Sequence, residues 1–572
     1  MILNALNSYY QRLKDDPNVD IPMQGFGIQK IHFALVINHD GELVQDPIDL
    51  REMKNKKILP KELVLPKEVI RSGTKIAPNF AWDNTGYVLG ADNKENPERA
   101  QEQFATFKKL HHDLGDSLDD DGMRAVLGFL DSWNPENVSE WKHWNEMSGA
   151  NVVFKLDSEL RYIHERPQIQ AAWLAYLKQK TSKVIRPCLV TGNESPVARL
   201  HPAIKGVFGA QKKGAAIVSF NLDAFESYGK TQNYNAPVGE DIVFAYTTAL
   251  NYLLAFDSRQ KVQIGDATTI FWTERESPIE GFMGIILNPR DDTGDLTNIR
   301  LFLEAARDGK KLPDIDDPDM SFYILGLSPN ASRLSVRFWH VSTVEDISAK
   351  IGQHFRDLSI IKSYDSDPEF PGMWQLLRET AVLRKSENIS PVLSGSIMRS
   401  ILTGAAYPQS LMTAIIGRIR ADQEINYLRA AMIKACLVRK YRINQISKEV
   451  TMALDKESTN IAYRLGRLFA VLEKAQRDAI PGANTTIKDS FYGSASATPR
   501  TVFPRLLRLA QHHIQKAEYG RNTDKMIEEI MQDIQAFPAH LSLDDQGLFA
   551  IGYYHQRKDF YTKSNKKEDN NE

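Results

Sequence analysis

The stretch FYILGLSPNASRLSVRFWH, residues 322–340, decides the fold class because it places a turn between two strand patterns. Its two halves, 322–328 and 333–340, alternate in polarity and are rich in β-branched and aromatic residues. Pro329 and Asn330 between them favour a tight turn. The stretch predicts a β-hairpin, so an all-helical protein is excluded.

Upstream of this hairpin, strand patterns alternate with helical ones. Strands are predicted at 31–38, 215–221 and 268–274. Apolar residues recur at helical spacing over 98–114, 169–180 and 239–256. We therefore expect residues 1–370 to form an α+β body, as one unit or as two subdomains.

Downstream, the sequence changes character. Asp367-Pro368 and Pro371-Gly372 disfavour a continuous helix or strand, which predicts a domain boundary near residue 370. Helical periodicity then dominates, at 373–386, 394–405, 409–416, 421–440, 443–454, 460–475 and 501–519. We expect an all-helical bundle over 373–560, followed by a polar, disordered tail at 561–572.

Composition limits the possible functions. The chain has 572 residues, of which 42% are hydrophobic, and a formal net charge of -2. No run approaches the roughly 18 apolar residues of a membrane helix, and the start lacks the apolar run of a signal peptide. We therefore expect a soluble, cytoplasmic protein. Cys188 and Cys436 form no CxxC pair, which disfavours a disulfide framework and a thiolate zinc site.

No complete catalytic motif is found in the sequence. The glycines of GVFGAQKKG (206–214) fit neither GxxxxGK[ST] nor GxGxxG, and a strand pattern follows where those motifs need a helix. His111-His112-Asp113 lacks the second half of a metal site, so a solvated patch on a helix is the simpler interpretation. We expect no enzymatic activity, no cofactor and no bound metal.

Three segments are instead suited to binding. The first is the run that begins with GVFGAQKKG, where the glycines allow a tight turn and Gln211, Lys212 and Lys213 lie at its tip. An amide and two cations can contact phosphates and base edges. Asn221, in the strand pattern that follows, is a further candidate for nucleic-acid binding. The alternative is a plain hairpin turn with solvated lysines.

The second segment, RSGTKIAPNFAWDNTGY (71–87), sets Lys75 and Asn79 in a proline-constrained loop. Phe80, Trp82 and Tyr87 lie close by in the sequence. These aromatic rings could stack on a base, with Lys75 and Asn79 on the sugar-phosphate. The alternative is that they anchor the loop in the core.

The third segment is the helix IAYRLGRLFAVLEKAQRDAI (461–480). Arg464, Arg467, Lys474 and Arg477 fall within one broad arc at 100° per residue, opposite an apolar face. From residue 373 onward the chain has about 29 Lys and Arg against about 21 Asp and Glu. A basic helical surface would suit a phosphate backbone. A solvated helix face is the alternative.

Two long blocks make the sequence similar to a known family. The first, over 189–254, consists of LVTGNESPVARLHPAIKGVFGAQKKGAAIVSFNLDAFESYG and NAPVGEDIVFAYTTALNYLL, and the second is the hairpin at 322–340. With weaker features in the same order on both sides, the chain resembles the large subunit of the type I-C CRISPR Cascade complex. Lys212 and Lys213 stand where this family often has small polar residues, which would add phosphate-binding charge to the loop.

The resemblance implies a non-catalytic subunit of an RNA-guided DNA surveillance complex. It would recognise the protospacer-adjacent motif and aid R-loop formation, while guide pairing reads the target sequence. The implied partners are CRISPR RNA, the target duplex and its displaced strand, the backbone, RNA-processing and small helical subunits, and a recruited helicase-nuclease. Two alternatives stay open: a structural scaffold that binds only RNA and protein neighbours, and a metal-dependent nuclease.

The resemblance also implies a second product, because the type I-C family obtains its small subunits from an internal start in this reading frame. The tripeptide KEV (448–450) can be encoded by AAG GAG GTN, which contains the ribosome-binding sequence AAGGAGGT, and Thr451 supplies the spacer before Met452. The methionines at 398, 412 and 432 have no such tripeptide upstream. We expect a product of residues 452–572, unless the codons of this common tripeptide differ.

Overall fold

Strands and helices alternate in the first part of the chain and helices fill the second, in a computed structural model of the protein. The predicted α+β fold class is confirmed. The structure describes residues 1–54, 57–69, 71, 74–92, 96–141, 144–264, 266–287, 297–310, 317–518 and 520–568. Within those ranges, no helix has the length and apolar character needed to cross a bilayer.

Unit 1 comprises Met1–Pro202 and Val218–Leu250. Its helices are α1 (Ile2–Asp15), α2 (Thr85–Val88), α3 (Pro97–Gly115), α4 (Asp121–Ser132), α5 (Trp144–Met147), α6 (Pro167–Gln179) and most of α7 (Glu240–Leu253). Its strands are β1 (Phe26–Ile31), β2 (Phe33–Ile37), β3 (Ile48–Asp49), β4 (Glu52–Lys54), β5 (Lys57–Leu59), β6 (Lys61–Pro66), β7 (Trp82–Asn84), β8 (Asn151–Leu156), β9 (Ile185–Pro187) and β10 (Glu194–Pro196).

A four-stranded sheet of order β3-β2-β8-β7 forms the centre of unit 1. Strands β2 and β8 are parallel, with Phe33 opposite Val152, and the two outer strands are antiparallel to their neighbours. All five residues of β2, FALVI, are buried, as expected for a strand that is covered on both faces. Helices α3, α4 and α6 contribute to the same core.

Unit 2 comprises Ala203–Ile217 and Asn251–Glu572. Its strands are β11 (Lys261–Ile264), β12 (Ala267–Thr273), β13 (Ser321–Asn330) and β14 (Arg333–Thr343). Its helices are α8 (Ile279–Leu287), α9 (Thr297–Asp308), α10 (Val344–Leu358), α11 (Met373–Arg378), α12 (Pro391–Thr403), α13 (Gln409–Asp422), α14 (Tyr427–Ile443), α15 (Ile461–Ala479), α16 (Ile487–Ala495), α17 (Pro499–Lys516), α18 (Gly520–Met531) and α19 (Leu543–Glu568).

The predicted hairpin is present as β13 and β14, within an antiparallel sheet of order β11-β12-β13-β14. Its turn lies two residues later than expected. Pro329 and Asn330 belong to β13 and pair with Leu334 and Arg333. The chain reverses after Asn330 at Ala331, which adopts a left-handed φ of 53°.

The structure divides the chain at a different place from the boundary that we predicted near residue 370. One continuous core runs through unit 2 from Val262 in β11 to Tyr554 in α19. Phe271 and Phe322 of the sheet belong to the same core as the residues of the later helices. The sheet has an apolar face that must be buried against another element, and the helices of this unit pack on that face.

Several predicted elements differ from the observed ones. A helix was predicted over 443–454, but residues 444–454 are not helical, because Gln445 takes a left-handed φ of 54° just after α14, a conformation that ends helices. Gln423 separates α13 from α14 in the same way, with φ 53°. Residues 215–221 form only isolated bridges instead of a strand. Helix α19 continues to Glu568 and so includes most of the predicted tail, while residues 569–572 lie outside the described residues.

Candidate nucleic-acid interface

The glycine loop is the segment Ala203–Ile217 of unit 2. Ile204 and Ala215 pair across its base, where each N–H donates to the other residue's carbonyl at 2.9 Å. Near the tip, the Gly214 N–H donates to the Gln211 carbonyl at 2.8 Å. The intervening residues therefore form one closed turn on a fixed base.

Two glycines of this loop make its close turns possible. Gly206 and Gly214 have φ values of +85° and +91°, in the left-handed region that other residues rarely adopt. A Cβ on Gly206 would lie 2.3 Å from the Leu254 carbonyl oxygen, and one on Gly214 would lie 2.7 Å from the Ile204 carbonyl oxygen. Any side chain at these positions would push the loop off its base.

Both ends of the glycine loop are fixed to the rest of unit 2. The Lys205 N–H donates to Oδ1 of Asn251 at 2.8 Å, and the Phe208 N–H donates to Oγ1 of Thr268 in β12 at 2.9 Å. Ala216 makes two backbone hydrogen bonds with the chain around the start of β14. The tip is thus held on a rigid scaffold, which suits a recognition loop.

The tip presents the three residues that the sequence marked for binding. Gln211, Lys212 and Lys213 are all exposed. Lys205, on the first side of the loop, is exposed too, and residues 203–217 include no acidic side chain. No ion pair forms at Lys205, Lys212 or Lys213 among the described residues. Asn221 is exposed but lies in unit 1, outside this loop.

The second candidate loop, in unit 1, presents only one of its two predicted residues. Lys75 is exposed, but Asn79 is only 1% exposed. Oδ1 of Asn79 accepts from the Val69 N–H at 2.9 Å, and its own N–H donates to Oδ2 of Asp83 at 2.8 Å. The prediction of Asn79 as a contact residue is therefore corrected, because its polar atoms hold the loop together.

The aromatic residues of this loop follow the structural alternative. Phe80, Trp82 and Tyr87 are buried in the cores of unit 1. Arg71 lies over the Tyr87 ring, 4.1 Å from its centroid, and donates to the Ala77 carbonyl at 2.7 Å. These rings anchor the loop and are not available for stacking on a base.

The predicted basic arc of α15 is divided between buried and exposed residues. Arg464 and Arg467 are 4% and 5% exposed. Nη1 of Arg467 donates to the carbonyls of Asp455 and Lys456 at 3.2 Å, and its Nε donates to Oε1 of Gln556 at 3.1 Å. Burial lowers the pKa of Arg467. The prediction of an exposed basic arc is therefore wrong for Arg464 and Arg467.

Arg464 is held by the neighbouring helix and by the loop before α15. Its Nη1 donates to the Ile530 carbonyl at 3.3 Å, and its Nη2 lies 2.5 Å from Oδ2 of Asp533. It also donates to the Ser458 carbonyl at 2.5 Å through Nε. A guanidinium so placed fixes the packing of α15 against the end of α18 and cannot reach a phosphate in solvent.

The second half of α15 is the part that reaches the surface. Lys474 is half-buried and lies 2.5 Å from Oδ2 of Asp478. Arg477 is exposed and pairs at 2.7 Å with Oε1 of Glu473, a buried carboxylate one helical turn earlier. Lys488, at the start of α16, lines the same 390 Å³ cavity as Arg477. Only this end of the helix retains the predicted character.

The remaining basic residues of the predicted bundle surface are also mostly engaged within the fold. Arg439 is buried and donates to the equally buried Asp357 at 2.8 Å, and Arg442 donates to the same carboxylate. Arg429 is buried against Glu379, with its Nε 2.9 Å from Oε2. These ion pairs connect helices of unit 2 and leave less positive charge on the surface than the sequence suggested.

A family model described as CRISPR-associated protein (Cas_Csd1) matches residues 6–561, nearly the whole chain. The chain belongs to this Csd1 family. It is therefore a CRISPR-associated protein of Cascade type. A comparison with curated protein sequences finds no match.

His111 and His112 lie in different environments in this Csd1-family chain. His111 is buried: its Nε2 accepts from the Ala81 N–H at 2.9 Å, and its Nδ1 lies 2.8 Å from the Phe107 carbonyl. Burial lowers its pKa to about 4. His112 contacts Asp116 and Asp131. The solvated-patch interpretation thus applies to His112 and is wrong for His111.

The sequence contains neither a complete metal-site motif nor a phosphate-loop motif. Among the described residues, no three His, Cys, Asp or Glu side chains are grouped so as to hold a metal ion. Residues 218–239, which follow the glycine loop, form no α-helix, so the loop lacks the helix N-terminus that a phosphate-loop motif requires. What the glycine loop offers is a rigid turn with an amide and three lysines, which can contact an anionic backbone.

Phe208 is the residue of the glycine loop that the sequence interpretation overlooked. Its side chain is 70% exposed, although its backbone N–H is fixed to Thr268. The signal was present in the sequence, as an aromatic residue between two glycines in a lysine-rich turn. Apolar residues are most often buried, so the type of this residue alone does not predict its exposure.

Proposed function

We propose that the chain is the non-catalytic large subunit of a type I-C Cascade complex, which recognises the protospacer-adjacent motif, aids R-loop formation and recruits the helicase-nuclease. The glycine loop is the observation that carries this proposal. It combines an exposed amide, three lysines that form no ion pair with any described residue, and a base fixed at both ends. Such a loop can enter a groove while its lysines bind phosphates.

The test replaces Gln211, Lys212 and Lys213 together by alanine in the assembled, guide-loaded complex. Binding to a matched duplex should weaken, and the slope of log affinity against log salt should fall by about two, one for each lost lysine contact. Lys385→Ala removes an exposed lysine of unit 2 outside the loop and is the matched control. Unchanged affinity and slope in the triple variant would exclude the loop as the DNA contact.

The same measurements separate the two alternative functions. A scaffold that binds only RNA and protein neighbours would let the complex assemble with no salt-dependent contribution from this chain. A metal-dependent nuclease would cut the matched duplex when magnesium is added in the absence of the helicase-nuclease. Under the proposal, the complex binds the duplex and leaves it uncut.

We also propose that residues 452–572 are made separately as a small helical subunit. Met452 lies in the non-helical segment between α14 and α15, with 57% of its surface exposed, and helices α15 to α19 all follow it. Backbones of α15 and α19 meet closely at two glycines: a Cβ on Gly466 would lie 2.0 Å from the Phe549 carbonyl oxygen, and one on Gly552 would lie 2.1 Å from that of Tyr463. The centre of this bundle is therefore formed within the short product itself.

Expression of the single gene with a C-terminal tag tests this start. A short second band should appear beside the full-length protein, and synonymous recoding of codons 448–450 should remove it without changing the long product. Recoding of codons 440–442 is the matched control, since it alters the message near the start but not the proposed ribosome-binding sequence. A band that persists after recoding of 448–450 would exclude Met452 as the start.

A further inference from the structure

The Phe208 side chain is placed at a cost to the fold. An aromatic ring left 70% exposed forgoes the stabilisation that burial would give it. Its neighbours on the loop, Val207 and Ile204, are buried and fill the base instead. The ring thus lies on the solvent side of a loop in which Ile204 and Val207 are buried.

The backbone on both sides of Phe208 controls where the ring can be. Gly206 and Gly209 have φ values of +85° and +75°, so the chain bends sharply before and after the residue. Between these bends, the Phe208 N–H is tied to Oγ1 of Thr268 at 2.9 Å. Oγ1 of Thr268 in turn donates to Oε1 of Gln263 at 2.9 Å, so the anchor itself is fixed. A rigid backbone lowers the entropy cost of using the ring for binding.

The charges around the ring identify the kind of partner. The loop carries Lys205 before Phe208 and Lys212 and Lys213 after it, with no acidic residue between 203 and 217. A protein interface tends to exclude lysine from its centre, whereas nucleic acid attracts it. Apolar side chains flanked by cations are inserted between base pairs by proteins that bend or open duplex DNA.

We propose that Phe208 is a wedge, whose ring inserts against the bases of the target duplex while Lys205, Lys212 and Lys213 hold the adjacent phosphates. This rests on the proposed function, in which the glycine loop meets duplex DNA. The ring would replace the stacking that the base pair loses when the strands begin to separate, since a base stacks on an aromatic side chain almost as well as on another base.

The experiment uses the guide-loaded complex and a matched duplex whose flank is selected from a randomised library for tight binding. The fluorescent base 2-aminopurine is placed at successive positions across the flank and the first guide-matched pairs. With the unaltered chain, fluorescence should rise at one position, because unstacking relieves its quenching. Phe208→Ala should abolish this rise and weaken binding to the paired duplex about ten-fold. Phe208→Trp should retain both.

Two further comparisons make the outcome specific. A duplex with a short mismatched bubble at the responding position needs no wedge, so Phe208→Ala should bind it within about two-fold of the unaltered chain. Tyr364→Ala is the matched control, because Tyr364 is a 73% exposed aromatic of the same unit followed by Asp365 and Asp367. It should change neither fluorescence nor affinity.

The wedge and the proposed function fail in different ways. If Lys212→Ala and Lys213→Ala weaken binding while Phe208→Ala leaves fluorescence and affinity unchanged, the loop contacts DNA and the wedge is overturned. If Phe208→Ala reduces assembly of the complex, the ring contacts a protein neighbour and the wedge is again overturned. If none of the three variants changes duplex binding, the proposed function of the loop fails as well.

Discussion

The glycine loop and helix α15 use positively charged side chains in opposite ways. In the loop, Lys212 and Lys213 are exposed and no ion pair engages them within the described chain. In the first half of α15, Arg464 and Arg467 are buried and donate to backbone carbonyls of neighbouring segments. A guanidinium has five N–H donors in a planar fork and can satisfy several carbonyls at once, whereas an ammonium has three donors and is more strongly hydrated. The residue type thus matters as much as the charge.

The largest expected effect is the loss of a buried arginine. Arg467→Ala should lower the free energy of unfolding by about 3 kcal/mol, because it leaves the carbonyls of Asp455 and Lys456 without a donor and opens a cavity at the start of α15. Urea unfolding of the full chain measures this. A change that small surface substitutions also give, within about 0.5 kcal/mol, would contradict the structural role of Arg467.

The control for that measurement is Lys212→Ala. An exposed lysine without an ion pair contributes little to folding, so the urea midpoint should stay where it is in the unaltered chain. Its effect should appear in duplex affinity instead. If Lys212→Ala and Arg467→Ala destabilised the fold equally, the distinction between the exposed lysines of the glycine loop and the buried arginines of α15 would be wrong.

Much of the fold could be predicted from the sequence, since regular patterns are local. The α+β class, the hairpin and helices α3, α6, α7 and α17 follow from periodicity in the chain. The helix predicted over 443–454 failed because a single left-handed residue, Gln445, overrides a local periodic pattern. The continuous core that joins the sheet of unit 2 to its later helices was not predictable, because periodicity does not say which other element covers an apolar face.

The candidate site could be predicted only in part, for a related reason. The types of residue in the glycine loop and their exposure agree with the sequence interpretation, since glycine and lysine in a turn leave few other arrangements. The arc of α15 was misjudged because this helix is surrounded on nearly all sides, so that thirteen of its residues are buried. The long stems of Arg464 and Arg467 bring their charged ends to carbonyls beyond the helix, which a helical projection cannot show.

An effect of intermediate size is expected from two adjacent residues of unit 1, His111 and His112, which should change the pH dependence of stability in opposite directions. His111 is buried and its pKa is lowered to about 4, so in the unfolded chain it takes up a proton near pH 6.5 that the folded chain refuses. Stability should therefore fall as the pH drops below about 6.5, by an amount on the order of 2 kcal/mol for this residue at pH 5. Urea unfolding of the full chain at pH 7 and pH 5 measures the difference.

Two variants divide that pH dependence between the neighbours. His111→Gln keeps a donor and an acceptor but does not titrate, so its loss of stability between pH 7 and pH 5 should be smaller than that of the unaltered chain. His112 is hydrogen-bonded to Asp116, which raises its pKa, so protonation stabilises the fold as the pH falls. His112→Gln should therefore make the acid loss larger. The same sign of change in both variants would contradict the assigned environments.

The smallest expected effect concerns Arg477, at the exposed end of α15. If the bundle holds a displaced single strand, Arg477→Gln should reduce the salt slope of binding by about 0.7, the value for one phosphate contact on single-stranded DNA. Glutamine can still donate to Glu473, which also keeps its contacts with Tyr553 and Thr486, so folding should be little changed. The guide-loaded complex, titrated with target DNA over a range of salt concentrations, gives the slope.

Combining Arg477→Gln with Arg467→Met should reduce the slope no further, because a buried guanidinium contacts no phosphate. A fall of about 1.4 in the double variant would show that Arg467 reaches the DNA, and the division of α15 into an internal and a presented half would then be wrong.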